Sequence, residues 1–213
     1  MSICPRIPFR RRRIRFHSAR SALPALWAAA TALAAGAVAG YAADGAARAA
    51  PFARIPNLSI EYYDVAGATA EQIRTAINAR RPVDPNDNLP VDAISRWTIN
   101  WKIPVRPDGA CDLGRAEVSF KARVLLPRLV NRDSLPQPLV VHWDAYAASL
   151  AKHEDWHVRY AHAHLRDVEA AIRTSTCASA EAAAAAAVTT IARVERDYDI
   201  KARHGASDVL PFP

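Results

Sequence analysis

Residues 153 to 157 read "HEDWH", two imidazoles four positions apart with a carboxylate, Glu154, directly after the first. On an α-helix, residues four apart sit on adjacent turns of one face, so His153 and His157 can share one metal ion. Zinc held in this way acidifies water and polarises a carbonyl, while a carboxylate beside the pair takes the proton. The chemistry on offer is peptide-bond hydrolysis, with Zn2+ as cofactor and Glu154 as general base.

The site needs a helix to carry it, and the flanking residues supply one. From about Pro138 to about Thr174 the pattern is helical: Leu150, His153, His157, Ala161, His164, Leu165, Val168 and Ile172 fall along one side. Lys152, Asp155, Arg159, His162 and Arg166 fall along the other. The motif histidines therefore face inward on an apolar stripe, where an unpaired imidazole is costly. A second helix is expected from about Ala178 to Tyr198, because alanine is the best helix former and Val188, Ile191 and Val194 extend a stripe beyond the "EAAAAAAV" tract.

A catalytic zinc usually takes three protein ligands and leaves one position open. His162 faces outward, and His142 precedes the motif with nothing specific to bring it back. His164 lies on the inward face but about 10 Å along the axis from His157, so it is expected to pack or hydrogen-bond in the core. "DYDIKARHG", residues 197 to 205, follows the second helix. His204, with Gly205 beside it, is the leading third ligand, and Asp199 is either a direct ligand or an orienting partner. Tyr198 is a candidate donor to the oxyanion formed in hydrolysis.

The remaining elements are strands. "LSIEYYDV" (58 to 65) is rich in β-branched and aromatic residues, and Thr69 with Gln72 can cap a helix bearing Ile73 and Ile77 until Pro82 stops it. "RWTINWKI" (96 to 103) and "AEVSFKARVLLP" (116 to 127) alternate apolar with polar residues, the period of half-buried strands. The turn-rich "PVRPDGACDLGR" between them predicts a hairpin with Cys111 at its tip. The fold class is α+β: a small antiparallel sheet of about three strands packed against the long HExxH helix and a second C-terminal helix.

The front of the chain has a different character. Residues 1 to 43 hold seven of the 28 basic residues and none of the 21 acidic ones; the seven end at Arg20, and an uncharged alanine-rich run follows from Ala22 to Ala43. This reads as a signal peptide or N-terminal membrane anchor, with residues 44–57 a linker and 58–213 one domain. The excess positive charge belongs to targeting, so no basic footprint for nucleic acid remains. Cys4 lies in the targeting segment, and Cys111 with Cys177 is an even pair, most simply a disulfide in an oxidising compartment.

Taken in order, "YYDVAGATAEQIRTAINARRP", "RWTINWKI", the cysteine before the third strand, "HWDAYAASLAKHEDWH", Cys177 and "YDIKARHG" resemble a bacterial domain family of unknown function, described as predicted secreted zinc-dependent proteases. The resemblance spans about residues 60 to 205. It implies a zincin-like fold, zinc at His153 and His157, catalysis at Glu154, a bond between Cys111 and Cys177, and functional roles for Tyr198, Asp199, His204 and Gly205. Trp156 stands where such members often have glycine.

These residues point to an exported, periplasmic or secreted, zinc metallopeptidase acting on a peptide or protein substrate in the cell envelope, laid extended along a sheet edge. The alternative is a non-catalytic envelope binding module that uses the same histidines for a structural metal or for none. Membrane association is expected only if residues 1–43 are retained.

Overall fold

The alternating segments pair as their periods require. In the computed structural model, which describes residues 50–213, the strands are β1 (Leu58–Val65), β2 (Ile94–Lys102) and β3 (Glu117–Leu129). The expected signal or anchor over residues 1–43 lies outside the described residues. β2 and β3 form the antiparallel hairpin, with Trp97 opposite Ala122, Ile99 opposite Phe120 and Trp101 opposite Val118.

The sheet as a whole is mixed, which corrects the antiparallel expectation. β1 runs parallel to β3, Leu58 opposite Ala122 and Val65 opposite Leu129, and the strand order is β1-β3-β2. A tight turn forces two strands to be antiparallel, whereas a long connection allows either direction. β1 reaches β3 only through a helix and β2, and periodicity carries no direction. Pro127 sits in the central strand, but β2 pairs with β3 no further than Leu125, so on that side Pro127 interrupts no ladder.

Helix α1 (Ala70–Arg80) starts as its residues dictate: Thr69 Oγ1 accepts from Gln72 N–H at 3.3 Å, and Gln72 Oε1 accepts from Ala68 N–H at 2.7 Å. The first bond satisfies an amide donor that the first turn leaves unpaired, and the second fixes the entering chain at Ala68. Ile73 and Ile77 are its buried face.

The long helix is two. α2 (Gln137–Ala163) ends at His164, whose Nδ1 donates to the Tyr160 carbonyl at 2.7 Å, and α3 (Leu165–Arg173) begins anew. The break keeps Val168 and Ile172 buried while α3 packs against β3 and α4 (Ala180–Ala202). His164 hydrogen-bonds as expected but is half-buried at the break, outside the core. Cys111 and Cys177 are bonded, with Cα atoms 5.7 Å apart and 66 residues of separation. The bond ties the β2–β3 turn to the α3–α4 turn and, by chain entropy, stabilises the fold by about 4 kcal/mol.

Residues 50–57 are not a free spacer. Phe52 is buried, and its N–H donates to Asp155 Oδ1 at 2.6 Å; Asp155 also accepts from Arg159 Nε at 2.6 Å. Asp155 is therefore not simply outward-facing, because it holds this segment against α2. The core between sheet and helices gathers Phe120 and Val124 of β3 with Trp143, Tyr146, Leu150 and Val158 of α2. Each such side chain contributes roughly 1.5–3 kcal/mol of burial. Among the described residues, no helix is long and apolar enough to cross a membrane.

Candidate metal centre

The buried stripe of α2 carries His153, Glu154 and His157, each about 5–6% exposed. The last turns of α4 face this stripe. Asp199 Oδ1 lies 2.9 Å from His157 Nε2 and 3.3 Å from His153 Nε2. Ligands about 2.0–2.1 Å from a tetrahedral zinc are roughly 3.3 Å apart, so both Asp199 contacts have ligand spacing, and all three donors lie within 4.8 Å of one another. Two imidazole nitrogens with one carboxylate oxygen suit zinc, a borderline metal that accepts both.

Of the expected third ligands, Asp199 joins the pair and His204 does not. His204 Nε2 pairs with Asp87 Oδ2 at 2.9 Å, in a separate group with Asp84. The reason is the length of α4, which continues to Ala202 instead of ending near Tyr198. Asp199 then sits on the helical face turned to α2. His204 falls beyond the cap, where Arg203 and His204 both adopt left-handed backbone (φ 50° and 52°). His162 packs its ring edge-on to Phe120, and His142 bonds the Pro211 carbonyl at 3.0 Å.

Gly205 continues the turn at φ 85°, and a Cβ there would lie 2.9 Å from Val209. The turn brings back a residue that sequence reasoning missed. Asp208 Oδ2 lies 3.1 Å from His153 Nδ1 and accepts the Tyr198 hydroxyl at 2.6 Å. A metal-binding imidazole needs an acceptor on its second nitrogen, and that requirement is the signal that could have located Asp208. Tyr198 is consequently committed to Asp208 and stacks on Trp156 at 3.7 Å and on His153 at 5.3 Å. In this structure it braces the site.

Charge balance follows from these contacts. Burial opposes the charge on His153, but Asp199, Glu154 and Asp208 together outweigh it and lift its pKa to about 9. Burial likewise opposes the charge on Asp199, yet the bonds from His153 and His157 hold its carboxyl far below the usual range. Burial raises Glu154, with the two histidines and Ser95 acting in the opposite direction. A buried carboxyl raised from its ordinary value is suited to carrying a proton. Glu195, one turn before Asp199, is pushed up to about 7, chiefly by burial; its Oε2 accepts from Trp97 Nε1 at 2.6 Å.

His153, Glu154, His157 and Asp199 lie on the wall of a cleft of about 1060 Å³. Residues 94–98 of β2 line the same cleft. β2 is an edge strand, paired among the described residues only to β3. The arrangement can hold a cation beside a buried carboxyl, next to backbone free to pair with an extended chain.

No curated protein and no solved structure matches the chain. Residues 60–205 match the family described as "Bacterial protein of unknown function (DUF922)". That span is more than half of the chain, and the cleft, the histidine pair and Asp199 all draw on it: the protein belongs to this bacterial family of unknown function.

Proposed function

We propose that this protein is an exported zinc metallopeptidase of zincin-like design, in which His153, His157 and Asp199 hold the ion and Glu154 moves the proton. The observation that carries the reading is the convergence of His153 Nε2, His157 Nε2 and Asp199 Oδ1 beside a buried carboxyl on an open cleft. Structural zinc sites are closed by four protein ligands, whereas three with an accessible fourth position are the catalytic pattern.

A zinc ion bound there supplies Lewis acidity to the scissile carbonyl and to a water molecule. Glu154 accepts the proton of that water as its oxygen attacks the carbonyl carbon, then delivers it to the amine nitrogen as the C–N bond breaks. Asp208 fixes the ring of His153 by accepting from Nδ1, and Tyr198 holds Asp208 in place. The free edge of β2 is suited to receive the peptide in extended form, so that its backbone is hydrogen-bonded before reaction. The disulfide agrees with an oxidising, extracytoplasmic compartment.

The test is metal content and turnover of the full-length chain, wild type beside Glu154→Gln. Expected are about one zinc per chain in both and peptide cleavage by the wild type alone, reduced in the variant by about 10²-fold or more. Wild-type protein that stays metal-free when offered zinc at neutral pH overturns the reading. Equal turnover in the two proteins would remove Glu154 from its role.

A further inference from the structure

The cleft has a surplus of unpaired arginine. Arg96 of β2, Arg196 of α4 and Arg203 at the α4 cap come from three elements and line one cavity. All three are exposed, and among the described residues none forms an ion pair. Some arginines elsewhere pair, such as Arg123 with Glu61 at 3.2 Å and Arg128 with Asp64 at 2.7 Å.

Acids in the same lining are already engaged. Asp92 accepts from Arg74 at 2.6 Å and Arg81 at 3.3 Å, Asp199 faces the two histidines, and Asp84 Oδ1 accepts from Asn86 N–H at 2.9 Å. Glu154 is buried on α2 between the two histidines, and Glu195 is buried with its Oε2 accepting from Trp97 Nε1 at 2.6 Å while its Oε1 has no partner. Arg81, which also lines the cleft, is by contrast paired: its Nη1 lies 3.3 Å from Asp92 Oδ1, and its Nε is buried. The exposed guanidiniums of Arg96, Arg196 and Arg203 have donors open to an acceptor in the cleft.

We propose that the cleft selects acidic peptides, with carboxylate side chains flanking the scissile bond taken up by Arg96, Arg196 and Arg203. Guanidinium presents a planar fork that fits a carboxylate in bidentate fashion, which a single lysine ammonium does not. The inference rests on the peptidase reading for its reaction, but its binding component stands apart from catalysis.

The experiment uses the full-length, zinc-loaded chain with matched peptide amides that carry Asp and Glu, Asn and Gln, or Lys around a common core. Turnover is read on the wild type, and equilibrium binding by fluorescence anisotropy on both wild type and Glu154→Gln. The acidic peptide is expected to exceed the neutral one by about tenfold or more, with the margin shrinking as salt is raised. Arg96→Gln, Arg196→Gln and Arg203→Gln, checked for unchanged thermal unfolding, should each bring the acidic-to-neutral ratio towards one. Equal handling of the three peptides, or preference for the lysine peptide, overturns the proposal. If nothing is cleaved yet the acidic peptide still binds best, the peptidase reading fails and the charge selection stands.

Discussion

Asp199 Oδ1 lies 2.9 Å from His157 Nε2, joining the last turns of α4 to the middle of α2. The contact has the spacing of two ligands on one ion, and His204 is occupied elsewhere by Asp87. Asp199→Ala and His153→Ala are therefore both expected to abolish retention of zinc through gel filtration, while His204→Ala is expected to keep about one ion per chain. Elemental analysis decides it. Loss of metal in His204→Ala with retention in Asp199→Ala would reverse the ligand assignment.

Asp208 acts through His153. Removing an acceptor behind a ligating imidazole typically costs about 10–100-fold in metal affinity or activity. Asp208→Asn should show that loss without unfolding, and Tyr198→Phe a smaller one, because Tyr198 only orients Asp208. Competition with a chromophoric chelator gives both affinities. An unchanged affinity in Asp208→Asn would reduce the contact to packing.

The proton on His153 competes with the metal. With its pKa lifted to about 9, the imidazole is charged at neutral pH and must release a proton when an ion binds. Apparent zinc affinity should climb about tenfold per pH unit from pH 7 towards 9 and flatten above, measured by chelator competition. In the metal-free protein the sign is opposite: a folded value raised above the ordinary 6.5 gives stability present below pH 6.5 and lost as pH rises through about 9. An affinity that is flat across this range contradicts the ion pairing of His153.

Glu195 supplies a separate pH effect. Its folded pKa of about 7 stands above the ordinary 4.5, so its contribution to stability is complete below pH 4.5 and lost as pH rises through 7. Glu195→Gln keeps an acceptor for Trp97 and removes the titration. At pH 8 the metal-free variant should be more stable than wild type by up to about 3 kcal/mol, with the difference gone near pH 4.5. Denaturant unfolding at the two pH values measures it, and a pH-independent difference would rule out titration of Glu195 as the cause.

Much of this arrangement is legible in residue types and short spacings. Ile73 and Ile77 mark the face of α1, Thr69 and Gln72 mark its start, and the alternation around Trp97 and Phe120 gives the hairpin its register. These are local effects: a helix repeats every 3.6 residues and a strand every two, and a cap spans one turn. His153, Glu154 and His157 belong to the same class, since one helical turn suffices to bring them together.

What lay beyond such reach depended on distance along the chain. The direction of β1, the break at His164 and the extent of α4 were each settled by packing between segments far apart in sequence. The same holds within the centre. By itself the sequence determined the motif pair, its inward orientation, the pairing of Cys111 with Cys177 and the set of residues from 197 to 205 from which a third ligand would come. Only the tertiary structure chose Asp199 over His204, brought in Asp208 and gathered Arg96, Arg196 and Arg203 around one cleft. A metal centre is a meeting of atoms within a few ångströms, and between α2 and α4 that meeting is decided by how two helices pack and where the chain turns after them.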